Sequence, residues 1–444
     1  MKIYIETLGC PKNAVDSEMT SGLLEKNGHE MVDSPEESEV ILVNTCGFIN
    51  DAKQESIDTI LELSKFKEHH CKLLMVSGCL GERYGKELYD EIPEADVVMG
   101  VNDYHNILDI INKAQDESRK LLHSSCPDSV LDLGARNLST PKYSAYLKIA
   151  EGCNNYCSYC VIPYIRGRFR SSSFDSVLKQ AQDLSKEGCK EITLVAQDVT
   201  NYGIDLYDKH RIHELVENLA KIDGLKWIRL MYCYPHLISD ELVEVIAKNE
   251  NICRYLDVPI QHCSDGILKS MNRKTNKKEI IEVLNKLRNK VPGIHIRTTL
   301  IVGLPGETEE DFQELKHFVK DMRFERLGVF EYSPEEGTPA AQMENQVDDS
   351  TKKARRDEIM EIQQEIAMEI NSKQIGNVLT VLVEEKVQDE NVYIGRTQYD
   401  ALDIDNSVMF TSERVLEIGS FVEVKITEAM EYDLIGEDIY EPAK

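Results

Sequence analysis

Three cysteines, Cys153, Cys157 and Cys160, lie within eight residues in the stretch Cys-Asn-Asn-Tyr-Cys-Ser-Tyr-Cys. Gly152 precedes them, so the backbone can fold back and bring the three thiols to one small inorganic group. A structural zinc site takes four protein ligands, so three thiols would need a fourth ligand from elsewhere. Three thiolates suit a 4Fe-4S cluster with one iron left open for chemistry. The spacing therefore predicts an iron–sulfur site, with a zinc knuckle as the alternative.

A second set of three cysteines, Cys10, Cys46 and Cys79, is scattered along the first hundred residues. Each follows an apolar run of strand type, and helix-like segments separate the runs; the runs are 2–8, 40–45 and 72–77, and the helical segments are 16–27 and 54–66. Alternating strands and helices predict a parallel sheet. The carboxyl ends of parallel strands share one edge, so the three thiols should meet in one crevice. Alternatively, each is a small buried hydrophobic residue, which is common for free cysteine.

Length and composition indicate a globular protein. The chain has 444 residues, of which 41% are hydrophobic and 29% charged, and this predicts two to four domains. An acid at Glu6 and the lack of a long apolar run argue against a signal peptide or a membrane span. Twelve cysteines then predict a reduced, cytoplasmic, metal-binding protein. The net charge of −28 favours a basic partner, unless it serves solubility alone.

The rest of the chain predicts two further units. Strand-like runs alternate with helical segments between residues 143 and 365; the runs are 145–149, 191–195, 227–231, 255–260, 295–302 and 326–330. This repetition predicts a partial (β/α) barrel with its site at the carboxyl-terminal mouth. A polar helix at 352–373 leads to about five short strands, which predict a small antiparallel β-barrel. The predicted fold is α/β, with domains at 1–135, 139–370 and 373–440 and a connector at 118–142.

The loop at 153–160, with Tyr159 before its last cysteine, resembles the CxxxCxxC signature of the radical S-adenosylmethionine (SAM) superfamily. The resemblance implies that SAM chelates the open iron through its amino and carboxylate groups. It also implies that one electron from the cluster splits SAM into methionine and a 5′-deoxyadenosyl radical. The core of such enzymes resembles the partial barrel predicted above.

The segments 9–18, 44–48 and 77–80 resemble the N-terminal domain of the methylthiotransferases, and the resemblance covers essentially the whole chain. It implies that Cys10, Cys46 and Cys79 hold a second 4Fe-4S cluster. That cluster would carry a sulfur, methylated by a second SAM, to the substrate radical. The six metal ligands and two 4Fe-4S clusters are thus implied by the resemblance, with no catalytic residue beyond the clusters.

The stretch Ile-Val-Gly-Leu-Pro-Gly-Glu-Thr at 301–308 lies where a predicted strand turns into a helix. Gly303 and Gly306 allow the backbone to approach a ligand, although strand-to-helix turns often use glycine. In register with the cysteine loop, this stretch resembles the family's SAM-contacting turn. The resemblance implies that Tyr159, Gly303 and Glu307 bind SAM.

Two stretches, 195–203 and 330–340, resemble the branch of the family that modifies ribosomal protein uS12. The tRNA-modifying branch usually has a basic residue where this chain has Glu335 and Glu336. A mouth lined by carboxylates would repel phosphate and attract lysine and arginine beside a target residue. The alternative for these two residues is a solvated loop.

The last segment, 373–444, resembles the TRAM domain that ends these enzymes. It holds six Lys/Arg against sixteen Asp/Glu, so phosphate binding by this surface is not expected. A strongly basic ribosomal protein fits such a surface. The expected partners are uS12, free or in the small subunit, and an electron donor such as a flavodoxin-type protein, without membrane or direct nucleic-acid binding.

The resemblance therefore implies a methylthiotransferase that modifies the β-carbon of an aspartate in uS12. One rival applies the same chemistry to tRNA adenosine. The other rival is a non-catalytic metal-binding assembly factor. Six cysteines receive no role: Cys71, Cys126, Cys189, Cys233, Cys253 and Cys263.

Overall fold

The structure, a computed structural model, describes residues 1–116, 120–122, 130, 132, 134, 136–388 and 390–440. Cys126 and part of the predicted connector at 118–142 lie outside the described residues. Within them, every helix is too short or too polar to cross a membrane.

The first unit is a six-stranded parallel sheet with the order β2-β1-β3-β4-β5-β6. Its strands are β1 Lys2–Thr7, β2 Glu30–Met31, β3 Val40–Thr45, β4 Leu73–Gly78, β5 Val97–Met99 and β6 Lys120–Leu122. Its helices are α1 Pro11–Lys26, α2 Asn50–Ser64, α3 Cys79–Glu91 and α4 Ile107–Asp116. Strands β3 and β4 are buried at every position, as expected for a sheet covered on both faces. Helix α1 begins earlier than predicted because Pro11 at its first position fits a helix start.

The second unit is an open six-stranded parallel sheet with the order β14-β13-β12-β11-β10-β7, which confirms the predicted partial barrel. Its strands, with the small β8–β9 pair, are β7 Ser144–Lys148, β8 Ala150–Glu151, β9 Arg170–Ser171, β10 Glu191–Val195, β11 Trp227–Leu230, β12 Ile252–Asp257, β13 His295–Val302 and β14 Arg326–Glu331. Its helices are α5 Ile162–Ile165, α6 Phe174–Lys186, α7 Ile204–Tyr207, α8 Ile212–Leu219, α9 Asp240–Lys248, α10 Asp265–Ser270, α11 Lys277–Lys290, α12 Glu309–Met322 and α13 Asp349–Ser372.

The third unit is a closed five-stranded barrel with the order β15-β16-β17-β19-β18. Its strands are β15 Val378–Lys386, β16 Val392–Thr397, β17 Val408–Thr411, β18 Phe421–Ala429 and β19 Leu434–Asp438. Four strand pairs are antiparallel, as predicted, but β17 and β19 run parallel. Strand directions can alternate around a closed ring only when the number of strands is even, so five strands require one parallel pair.

This barrel docks at the amino-terminal end of the core sheet. Glu191 and Trp227 are the first residues of β10 and β11. Glu191 pairs with Arg396 of the barrel at 2.6 Å, and the Trp227 ring meets Phe421 edge-on with the centroids 4.8 Å apart. The carboxyl end of the core sheet, where chemistry is predicted, therefore lies away from this contact.

Candidate active site

The three distant cysteines lie at the carboxyl ends of neighbouring strands. Cys10 follows β1, Cys46 follows β3, and Cys79 begins α3 directly after β4. Strand β3 pairs with both β1 and β4. The turns that carry these cysteines lie in contact with one another. A Cβ added to Gly9 would lie 3.0 Å from the Cys46 Sγ, and one added to Gly47 would lie 3.0 Å from the carbonyl carbon of Cys79. The structure thus brings the three thiols to one edge of the sheet.

Burial and neighbouring charges act on these thiols. Burial raises the pKa of Cys79 to about 12, with Arg166 opposing the change and Cys10 and Cys46 adding to it. Burial alone would raise the pKa of Cys10, but Lys12 and Arg166 outweigh it and lower that pKa. Metal binding requires the deprotonated thiolate form of each cysteine.

The other three cysteines lie in one loop between β8 and α5. The Cys160 N–H donates to the Cys157 carbonyl at 3.0 Å, which closes a tight turn. Gly152 opens the loop with φ +76°, and a Cβ there would lie 2.2 Å from the Arg168 carbonyl oxygen, so only glycine fits. Burial raises the pKa of Cys153 to about 11, and Cys157 adds to this shift. These thiols also lie within electrostatic reach of one another.

Each set supplies three thiols and thus fits a cluster better than a single ion. Among the described residues, no three His, Cys, Asp or Glu side chains are grouped closely enough to bind one metal ion. In a 4Fe-4S cluster each cysteine binds a different iron, so the thiols need no common ion. The donor chemistry of both sets fits such clusters, and the metal-binding role of the six cysteines stays a prediction.

The glycine-rich turn lies between β13 and α12, as predicted. The Glu307 carboxylate is fully buried, and it accepts hydrogen bonds from the N–H groups of Gly303 at 2.7 Å and Leu304 at 3.1 Å. It also pairs with Arg355 at 2.9 Å. Thr308 caps the helix. The Glu307 side chain points inward and holds the turn in shape, and contact of this turn with SAM stays a prediction.

Tyr159 connects the cysteine loop with this turn. Its half-buried ring packs against the small apolar cluster that contains Leu304 and Met271. On the same side, Arg273 donates a hydrogen bond to the Cys157 side chain. The Arg273 guanidinium carbon also lies 3.9 Å from the centroid of the Tyr234 ring. The loop and the turn are therefore neighbours, which the sequence predicted only through their resemblance to the family.

Four buried charges lie between the two cysteine sets. Arg166 Nη1 pairs with Asp16 at 2.8 Å and with Glu151 at 2.9 Å. Lys148 pairs with Glu151 at 2.8 Å and also with Asp16. All four side chains are at most 8% exposed. Arg166 Nη2 lies 3.5 Å from the Cys79 sulfur. We call Asp16, Lys148, Glu151 and Arg166 the charge tetrad.

Sequence reasoning missed the charge tetrad. Lys148 and Glu151 gave a signal, since they interrupt an apolar strand directly before the cysteine loop. Arg166 follows Cys160 closely, but its partner Asp16 lies 150 residues away. Nothing in a single sequence indicates that pairing, because it depends on how α1 packs beside β7.

Glu335 differs from its predicted role. Its carboxylate is 3% exposed and pairs with Lys53 at 2.9 Å and Arg83 at 2.8 Å, both from the N-terminal unit. Arg83 also donates to the Glu336 carbonyl at 2.8 Å. Glu335 therefore neither lines an acidic mouth nor lies in a solvated loop, and both predictions are wrong for this residue because two cations neutralise its carboxylate. It joins the last core loop to α2 and α3, while Glu336 remains exposed.

Three family models match the chain in succession. Uncharacterized protein family UPF0004 matches residues 2–100, the Radical SAM superfamily matches residues 147–319, and the TRAM domain matches residues 375–439. These ranges follow the order of the three structural units.

Solved structures resemble the fold at low identity. The radical S-adenosylmethionine methyltransferase TsrM from Kitasatospora setae has a TM-score of 0.57 at 14% identity, and the alignment covers 76% of each chain. The cobalamin-dependent S-adenosylmethionine radical enzyme OxsB has a TM-score of 0.51 at 13% identity, covering 82% of this chain and 56% of that one. At these identities the likeness shows the fold alone.

Curated relatives match along the full length. The ribosomal protein uS12 methylthiotransferase RimO of Clostridioides difficile (strain 630) is 51% identical over 445 residues, covering 100% of both chains. The protein of the same name from Clostridium acetobutylicum is 50% identical over 437 residues, covering 98% of both. The chain therefore belongs to the RimO family of radical SAM methylthiotransferases.

Proposed function

We propose that this chain adds a methylthio group to the β-carbon of an aspartate in ribosomal protein uS12. The observation that carries the proposal is full-length identity of about half to relatives named for this activity. The two cysteine sets support it, because one supplies three thiols in a single loop and the other supplies three thiols at neighbouring strand ends. A radical generator alone would need only the set at 153–160.

In this proposal Cys153, Cys157 and Cys160 hold one 4Fe-4S cluster and, through its open iron, SAM. Cys10, Cys46 and Cys79 hold the second cluster; these six cysteines are the proposed metal ligands. When bound, the clusters and SAM supply the hydrogen-abstracting radical and the methylated sulfur, which no protein side chain can supply. The protein's own contribution is to hold both sites around one substrate carbon and to exclude water.

The turn at 303–308 shapes the SAM side of the site. Glu307 fixes the turn from behind, because its carboxylate occupies the N–H groups of Gly303 and Leu304. Gly306, at φ +82°, faces open space, since no atom lies within 4 Å of an added Cβ. We retain Gly303 and Tyr159 as backbone contacts of SAM and assign Glu307 a positioning role.

The barrel favours a basic polypeptide as substrate. Two of its arginines are already paired, Arg396 with Glu191 at 2.6 Å and Arg414 with Asp438 at 2.8 Å. Nine carboxylates on the described part of the barrel are exposed; they belong to Glu385, Glu390, Asp403, Glu413, Glu417, Glu423, Glu428, Glu431 and Glu437. This surface would attract a cationic ribosomal protein and repel phosphate, so we propose no direct nucleic-acid binding.

An electron donor fits a different surface. The stretch 266–278 holds five Lys/Arg and no acid, in a chain of net charge −28. Exposed Lys269 and Lys274 line an open cleft of about 340 Å³ beside Asn272, and Asp265 and Glu279 also line it. Asn272 donates to the Tyr156 carbonyl at 2.8 Å, inside the cysteine loop. We propose that an acidic, flavodoxin-type protein docks here, because opposite charge would steer it to the cluster that it reduces.

The functional units of this proposal are domains at 1–135, 139–370 and 373–440, in a cytoplasmic protein. The long helix α13 ends at Ser372, directly before the barrel, and supports the last limit. Cytoplasmic location follows from the proposed ribosomal substrate and the reduced thiols that both sites require.

The test is an anaerobic reaction of the iron-reconstituted protein with SAM, a reductant and either uS12 or tRNA. We expect an aspartate-containing uS12 peptide to gain the mass of a methylthio group while tRNA nucleosides stay unchanged. Modification of tRNA without uS12 would support the tRNA rival and overturn the substrate assignment. A protein that takes up zinc with little iron or sulfide would support the assembly-factor rival instead.

A further inference from the structure

The charge tetrad has no part in the reaction described above, yet it contacts the Cys79 sulfur and the N–H of Gly152, which directly precedes Cys153. We propose that Arg166 is a positioning residue that donates an N–H···S bond to Cys79 and thereby tunes the second cluster. This proposal rests on the proposed function, in which Cys79 is a ligand of that cluster. In this proposal the Arg166 side chain also fixes the position of one cysteine set relative to the other.

The burial of Arg166 indicates a specific role. Its side chain is 2% exposed, and removing an ion from water costs several kcal/mol unless partners compensate. Nη1 is used by Asp16 and Glu151, as described above, and Nη2 reaches Asn13 Oδ1 and the Cys79 sulfur. A planar fork of fixed N–H directions can serve four acceptors in this way, whereas a lysine ammonium cannot.

Arg166 reaches the other two cysteine turns through Asn13. The Asn13 side-chain nitrogen donates to the Leu8 carbonyl at 2.8 Å and to the Thr45 carbonyl at 3.1 Å. Leu8 lies two residues before Cys10, and Thr45 directly precedes Cys46. The guanidinium therefore touches one turn directly and holds the other two through a single amide.

On its other side, Arg166 is bound to the loop of the first set. Glu151, its partner, accepts hydrogen bonds from the Gly152 N–H at 3.3 Å and from Gln197 at 2.9 Å. Gly152 directly precedes Cys153. A continuous chain of buried polar contacts thus runs from the Cys79 sulfur through Arg166 and Glu151 to the start of the cysteine loop.

An N–H bond to a ligand sulfur and a nearby positive charge both stabilise the reduced, more negative state of a cluster. Arg166 should therefore raise the reduction potential of the second cluster. Its removal should shift that potential to more negative values, and a lysine, which keeps the charge without the fork, should give an intermediate shift.

The experiment uses the full-length protein with Cys153, Cys157 and Cys160 changed to alanine, so that only the second cluster forms. Arg166→Gln and Arg166→Lys are introduced into this parent. Arg229→Gln is the matched control, because Arg229 is also fully buried and pairs with Glu191 at 3.0 Å, far from any proposed ligand. Iron content, the electron paramagnetic resonance spectrum and the midpoint potential are measured for each.

We expect Arg166→Gln to have the most negative potential, Arg166→Lys an intermediate one, and Arg229→Gln the parent value. Loss of iron in Arg166→Gln alone would also support the proposal, because the site would then need that side chain to hold its cluster. An unchanged potential in Arg166→Gln with full iron would overturn it. Equal iron loss in Arg166→Gln and Arg229→Gln would overturn it too, since the effect would then be general to buried arginines.

Discussion

The cysteine set at 153–160 comes from one loop, whereas Cys10, Cys46 and Cys79 come from three strand ends. The loop set is shaped by local features, chiefly Gly152 and the turn that ends at Cys160. The strand-end set exists only when β1, β3 and β4 are paired. The difference shows that one site depends on a short segment and the other on a whole sheet.

This difference has an energetic side. A loop of eight residues can bind a cluster while parts of the molecule are perturbed, because its donors are close in the sequence. The strand-end site forms only after β1, β3 and β4 have paired and Asn13 has bonded to the turns. Damage to the N-terminal unit should therefore separate the two activities.

The largest effect is expected from Cys157→Ala. This change removes one of three ligands of the first cluster, so SAM cleavage should fall to background while about half of the iron is retained. 5′-Deoxyadenosine formation and iron content measure the two effects. Retained cleavage would break the assignment of radical chemistry to the loop set.

The next largest effects are expected from glycine substitutions, which should affect the two cysteine sets differently. Gly78 has φ +93°, and a Cβ there would lie 2.5 Å from the Thr45 carbonyl oxygen, so Gly78→Ala should displace Cys79. Gly152→Ala should disturb the loop set in the same way. Gly188→Ala is the control, because φ is also positive at +102° but no atom lies within 4 Å of the added Cβ.

We expect Gly188→Ala to cost only about 1–2 kcal/mol of stability from its backbone strain. Gly78→Ala should cost more and should lower methylthio transfer while SAM cleavage continues; Gly152→Ala should lower both. Urea unfolding and the two product assays check this. If Gly78→Ala and Gly188→Ala behave alike, the steric argument for the strand-end site fails.

The next largest effect is expected from removing the ion pairs of Glu335. Glu335→Ala leaves Lys53 and Arg83 without their carboxylate, and breaking a buried pair costs about 3 kcal/mol. Because Glu335 joins the unit of the strand-end set to the core, methylthio transfer should fall more than SAM cleavage. Glu336→Ala is the matched control, since that neighbouring carboxylate is exposed.

The two ion pairs of Glu335 also predict that the stability of the protein depends on pH. Burial alone would raise the pKa of Glu335, but Lys53 and Arg83 outweigh it and lower that pKa. Its contribution to stability is therefore complete above the unfolded pKa of about 4.3 and is lost as the pH falls through the lower folded pKa. The difference in unfolding free energy between the original protein and Glu335→Ala should narrow as the pH falls below about 4. A constant difference would contradict the ion-pair explanation.

The smallest effect concerns the surface beside the loop set. Replacing Lys269 and Lys274 by glutamate should slow reduction by a flavodoxin about tenfold at low salt, and added salt should reduce the difference. Reduction by dithionite should not change. Lys373→Glu with Lys425→Glu on the barrel is the charge-matched control. Equal slowing in both pairs would place the donor elsewhere or make the effect one of net charge.

The sequence predicted both cysteine sets for a physical reason. Each strand-end cysteine closely follows an apolar run of strand type, so its place at the end of a strand can be predicted from the sequence, and a loop of three cysteines needs no long-range information. Parallel pairing of β1, β3 and β4 then follows from alternation with helices. The structure confirms the placement of these thiols at one edge of the sheet.

Other features could not be predicted, because they depend on contacts distant in the sequence. The charge of Glu335 suggested a role in attraction, but only the fold shows Lys53 and Arg83 against it. Glu307 lay in the correct turn, yet the direction of its side chain is decided by Arg355. The parallel pair β17–β19 follows from ring closure, which strand patterns do not reveal.

The central claim is that the two cysteine sets perform separate steps on one substrate. Its most direct test is Cys46→Ala, assayed with SAM, reductant and uS12 for 5′-deoxyadenosine and for methylthio-aspartate in the same reaction. We predict that 5′-deoxyadenosine still forms and that methylthio-aspartate does not. Formation of methylthio-aspartate by Cys46→Ala would contradict the claim.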